Sequence, residues 1–91
     1  MSQPILPFWA LQRQITSESV DEHTVRLTGP ILPVCEVRVA PSEPGPGHQV
    51  AVTRVDASGA KEEVIQTVVP ATEPLAAWQA GFELYRQHVI V

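Results

Sequence analysis

The last third of this chain leaves the least freedom. Arg54-Val55-Asp56-Ala57-Ser58-Gly59-Ala60-Lys61, followed by Glu63 to Val69, reads as a hairpin that runs through Pro70 into an amphipathic helix beginning near Thr72-Glu73-Pro74. His48 to Val55 is rich in β-branched residues, and Asp56-Ala57-Ser58-Gly59 suits a type I turn with a bulge, its glycine taking the left-handed position. In the helix, Leu75, Trp78, Phe82, Tyr85 and Val89 recur at alternate spacings of three and four residues, while Gln79, Glu83 and Gln87 line the opposite side. That is a narrow apolar seam. Pro74 belongs in a first turn, where its missing donor costs nothing, and Thr72 or Glu73 is placed to cap the amides beside it. Gly81 costs about 1 kcal/mol relative to alanine inside a helix, so its presence predicts close backbone approach on that flank.

Upstream, His23 to Thr28 and Val34 to Ala40 alternate apolar and polar residues and predict two more strands. Trp9 to Thr16 alternates in the same way and reads as a strand, although its Ala, Leu, Gln and Arg content also suits a helix. The polar run Ser17 to Glu22 then reads as a turn. Residues 1–7 are expected to form an extended N-terminal arm whose Ile5 and Leu6 lie against the body. Residues 41–47, Pro-Ser-Glu-Pro-Gly-Pro-Gly, read as a flexible exposed loop, because proline cannot donate to a ladder and glycine loosens the backbone.

The predicted architecture is α+β: an antiparallel meander of four to five strands with one C-terminal amphipathic helix packed across one face, in one small globular domain spanning residues 1–91. Five strands span roughly 24 Å, whereas one helix is about 10 Å wide. One helix therefore leaves part of that face for the N-terminal arm, a second copy or another protein to cover.

Charge and cysteine usage narrow the setting. With ten acidic and six basic residues the net charge is -4, which argues against broad attraction to nucleic acid or to an anionic membrane. A single cysteine, Cys35, closes no intrachain disulfide, which favours a reducing, cytoplasmic location. The opening Pro-Ile-Leu-Pro-Phe-Trp-Ala-Leu is too short and too interrupted by proline for a signal or a span, so the chain reads as soluble.

No catalytic, metal-binding or phosphate-binding signature stands out. Cys35 with His23, His48 and His88 supplies the atoms of a thiol nucleophile and a base, but no motif surrounds them. Cys35 shares its parity with Val37 and Val39 and reads as a small buried hydrophobe, while the histidines read as capping or solvated groups. Glu62-Glu63 and Asp21-Glu22 sit at or near turns and read as solvating charges.

The candidate interaction surface comprises Phe8 and Trp9, the aromatic pair after the proline-rich arm, and Arg13, Arg26, Arg38 and Arg54, which fall on four successive predicted strands. The phase of the arginines is inconsistent, since Arg26 and Arg38 point opposite the apolar set while Arg13 and Arg54 share parity with apolar residues, and Glu36, Glu62 and Glu63 are available as cross-strand partners, which favours ordinary solvated ion pairs. These features point to a non-catalytic protein-interaction or adaptor module, self-associating as a homodimer or binding another protein, with no cofactor, metal, membrane or small-molecule substrate. A nucleic-acid-binding sheet face bearing the arginines is the alternative, against which the net acidity counts. A small enzyme using Cys35 or a histidine ranks third.

Overall fold

A computed structural model of the protein describes residues 5–42 and 45–90. A short helix α1 (Phe8–Gln12) precedes five strands, β1 (Thr16–Asp21), β2 (Thr24–Thr28), β3 (Val34–Pro41), β4 (His48–Val55) and β5 (Lys61–Val69). Helix α2 (Pro74–Tyr85) follows and continues into a π-helical turn, Arg86–Ile90. The strands form one antiparallel meander in the order β1-β2-β3-β4-β5, with α2 lying over β3 and β4 and reaching β5. The α+β meander with a C-terminal helix is thus the architecture the sequence predicts.

The first strand is not where alternation put it. Trp9 to Thr16 begins as α1, and the polar run Ser17–Asp21, read as a turn, lies within β1. The helix stops in a Schellman arrangement: Gln14 takes a left-handed φ of 61°, its amide bonds the Leu11 carbonyl at 3.1 Å, and the Ile15 amide reaches the Ala10 carbonyl at 3.0 Å. Ala10 and Ile15 are both buried, supplying the apolar contact that usually accompanies this stop. Glycine is the residue expected at the left-handed position, so glutamine there concealed the helix end. β1 shows no buried residue, and a strand without a buried face has no reason to alternate. Only Asp21 to His23 makes the turn, with the Asp21 carboxylate accepting the His23 amide at 2.8 Å.

The downstream hairpin follows its residues closely. Asp56 Oδ1 accepts the amides of Ser58 and Ala60 at 2.9 and 3.0 Å, and Gly59 adopts a φ of 89°. Residues 41–47 behave less uniformly: Pro41 is the last residue of β3, opposite His48, and the Ser42 amide bonds the Gly47 carbonyl at 3.1 Å. Glu43 and Pro44 of that predicted loop, and Met1 to Pro4 of the predicted arm, lie outside the described residues.

Val25 and Leu27 from β2, Cys35, Val37 and Val39 from β3, and Val50 and Val52 from β4 form the buried sheet face. Ala77, Phe82 and Tyr85 of α2 close it. The rest of the cover comes from the N-terminal segment: Leu6, Trp9, Ala10 and Ile15 join the same cluster, and the Trp9 ring stacks on Tyr85 with centroids 6.5 Å apart. Ile5 does not, being 83 % exposed, so only Leu6 of the expected pair lies against the body.

The α2 seam is rotated from the predicted one. Leu75 is 58 % exposed, and the fully buried positions are Ala77, Gly81, Phe82 and Tyr85. A Cβ built on Gly81 would stand 3.0 Å from Val37 Cγ1 and 3.3 Å from Val50 Cγ1, so the helix settles on its small residues. The close approach predicted at Gly81 is real, but it is to valine side chains rather than to backbone. Pro74 occupies the first turn as predicted, while neither Thr72 nor Glu73 caps it through a side chain; Glu73 is the N-cap and offers its carbonyl to the Ala77 amide at 3.1 Å.

Candidate interaction surface

Helix geometry separates the aromatic pair. Neighbouring residues point about 100° apart around a helix axis. Trp9 therefore turns inward onto Tyr85, and Phe8 turns outward, 73 % exposed. Leu11, one turn further along α1, is 57 % exposed, and Ile5 precedes them both in the open. Ile5, Phe8 and Leu11 are thus exposed apolar residues in and just before α1. The spacing of Phe8 and Leu11 by three residues was the available signal, hidden once the segment was read as a strand.

The arginines do not form one row. Arg26 and Arg38 project from the face of the sheet opposite α2, whereas Arg54 stands directly across from the core residue Cys35 and so belongs to the helix side. Arg13 is exposed at the C-cap of α1. Arg26 donates from Nη2 to Glu36 Oε2 at 3.0 Å, and Lys61 Nζ meets the other Glu36 oxygen at 3.2 Å. The Glu36 side chain is only 8 % exposed between them. Burial alone would raise its carboxyl, but the hydrogen bonds from Arg26 and Lys61 outweigh burial and hold it below the ordinary carboxylate range. Arg54 lies 3.7 Å from Glu62 in solvent, a separation that contributes little.

Beside Arg26 the open face carries a shallow cleft of about 580 Å³, lined among others by Thr16, Glu18, Arg26, Thr28, Val55 and Asp56. Its charges are mixed. Arg26 already spends its Nη2 on Glu36, and its Nε is buried without a hydrogen-bond partner.

The thiol and imidazole groups stand apart from one another in kind and in place. Burial pushes the Cys35 thiol up to about 11, against a smaller downward pull from Arg54, so it is a neutral thiol near pH 7. Its neighbour Tyr85 is pushed up to about 12 by burial and then by Cys35, and its hydroxyl is buried without a partner. His48, expected at the surface, is buried and bonds from Nδ1 to the Ala71 carbonyl at 2.8 Å, tying the start of β4 to the approach to α2. His23 lies 3.6 Å from Glu22 in the β1–β2 turn, and His88 is exposed in the π-helical turn. Among the described residues no three His, Cys, Asp or Glu side chains converge as a metal site, and no helix is long and apolar enough to cross a membrane. No protein-family model, curated protein or solved structure matches this chain.

Proposed function

We propose that the protein is a non-catalytic protein-interaction module that engages a protein partner through the outer face of α1. The observation that carries this reading is the exposure of Phe8 and Leu11, three residues apart on α1, with Ile5 exposed just before them, while the other large aromatic side chains are buried or half-buried. Neighbouring positions on a helix three residues apart share a face, and apolar residues exposed there offer a contact surface to a protein partner. Phe8 offers the large, low-entropy contact typical of interface centres, while Trp9 and Tyr85 behind it hold α1 on the body. Chemistry at Cys35 would need a thiolate, and burial favours the neutral thiol. The division of the arginines between two faces, with Arg26 and Arg54 beside acids, weighs against a phosphate-gripping stripe.

The test is quantitative affinity capture from cell lysate, with and without nuclease, using the wild type, Arg38→Ala and the double variant Phe8→Ser/Leu11→Ser. The expected result is a defined protein recovered equally by the wild type and Arg38→Ala, insensitive to nuclease and lost with the double variant. Undiminished recovery by the double variant overturns the α1 surface. Recovery that depends on nucleic acid and on Arg38 moves the function to the open sheet face.

A further inference from the structure

The two edges of the sheet are built on opposite lines, and the contrast identifies a surface for self-association. β1, one edge, is six residues long, carries Glu18 and Asp21, and breaks register between Ser19 and Asp21. Short length, charge and a bulge are the devices by which edge strands avoid pairing with other chains. β5, the other edge, is nine residues long, the longest strand in the sheet. Its charges, Lys61, Glu62 and Glu63, sit at one end, and its register break lies where Glu63 and Ile65 pair with Thr53 and Val52. Beyond that break, Ile65 to Val69 pairs regularly with β4, and Val64-Ile65-Gln66-Thr67-Val68-Val69 holds neither charge, proline nor glycine. Such a run, high in β-propensity and uncharged, is the composition that pairs with its own kind. Apart from β4, no backbone hydrogen bond reaches β5 among the described residues, and Val68 is 56 % exposed.

We infer that β5 pairs antiparallel with β5 of a second copy, joining two sheets into one continuous sheet across a twofold axis. The inference rests on the self-associating part of the functional reading and assigns it to a surface distinct from α1. Antiparallel pairing is what a twofold axis normal to the sheet generates, and it makes the contact self-complementary. With the axis near Gln66, Ile65 faces Thr67 of the second copy and Glu63 faces Val69, so no two acidic side chains meet. The occupant follows from this symmetry: identical uncharged strands satisfy each other's free backbone groups without a new partner.

The experiment is sedimentation analysis of the full chain over a range of concentrations, with hydrogen exchange read along β5. The variants are Gln66→Lys/Val68→Lys, at positions already exposed on the open face, and Phe8→Ser/Leu11→Ser. The expected result is a reversible shift from 9.9 kDa to twice that mass, with β5 amides more protected at high concentration. The lysine pair should weaken association at least about tenfold while preserving the circular dichroism spectrum, and the α1 pair should leave it unchanged. A monomer at all concentrations overturns the inference. So does a dimer abolished by the α1 pair and untouched by the lysines, although that outcome leaves the interaction-module reading intact. Loss of partner capture with normal dimerisation would separate the two in the other direction.

Discussion

The two faces of one sheet bury side chains by different physics. On the α2 side, Val25, Leu27, Cys35, Val37, Val39, Val50 and Val52 disappear beneath helix and N-terminal segment, and the stabilisation scales with apolar area removed from water. On the open side no described helix lies overhead, yet Glu36 and Thr24 are buried, each only 7 % exposed. There charged neighbours meet across the strands: Arg26 from β2 and Lys61 from β5 each hold one oxygen of the Glu36 carboxylate. The difference teaches that alternation along a strand reports the apolar side only. A strand's polar side can be equally ordered when opposite charges meet across it.

The largest effect should come from the helix-covered face. Phe82→Ala removes a large buried side chain from between α2 and the sheet, and about 3–5 kcal/mol should be lost in urea denaturation. That is enough to unfold a small domain in part. A loss under about 1 kcal/mol would mean that α2 does not clamp the sheet as described.

The open face should respond next. Glu36→Ala strands Arg26 and Lys61 and should cost about 1–3 kcal/mol, reduced by the partial exposure of both cations. Because folding holds the Glu36 carboxyl below its ordinary 4.5, its contribution is intact above that value and lost as pH falls through the folded value. Glu36→Gln should flatten the acid side of the stability profile. An unchanged acid limb would reduce the cluster to a surface ornament.

In alkali the comparison reverses. Below pH 9 the Cys35 thiol is neutral whether the chain is folded or not; between 9 and about 11 only the unfolded chain releases the proton, so stability falls across that window. Cys35→Ala should remove this fall and leave the one due to Tyr85, between 10 and about 12. Thermal melts from pH 8 to about 12 would show both.

Smaller still is the effect of Tyr85→Phe. The hydroxyl is buried without a partner, so removing it should be neutral or should stabilise by up to about 1 kcal/mol. A loss of more than that in a thermal melt would reveal a bond the hydroxyl makes elsewhere. Smallest of all, Arg38→Ala on the open face should change stability by no more than about 0.5 kcal/mol, since its contact to Thr24 Oγ1, at 3.5 Å, is at the limit of a hydrogen bond.

Legibility in the sequence tracked how local each instruction was. The Asp56–Gly59 turn and Pro74 at the start of α2 depend on residues a few positions apart and could be read directly. So could β2, β3 and β4, each with one buried face. α1 and β1 could not, because Gln14 holds a conformation usually given to glycine and because an edge strand exposed on both sides carries no period. The two aromatics of the N-terminal segment go separate ways, Phe8 exposed and Trp9 committed to Tyr85, and the exposure of Leu11 follows from α1 rather than from the strand the alternation suggested. The cation pair around Glu36 was visible as cross-strand complementarity between Arg26 and Glu36, whereas Lys61 reaches it from twenty-five residues away.

By itself, then, the chain's order of residues determined the strands with one apolar side, the hairpin that joins β4 to β5, and the terminal helix, because periodicity and turn chemistry act over a few residues. Tertiary structure alone decided which stripe of α2 faces the sheet and which aromatic of Phe8 and Trp9 is left in the open. Those outcomes depend on Gly81 meeting Val37 and Val50 and on Tyr85 receiving the Trp9 ring. Each is a contact between residues distant in the chain, and no local pattern encodes the geometry that brings them together.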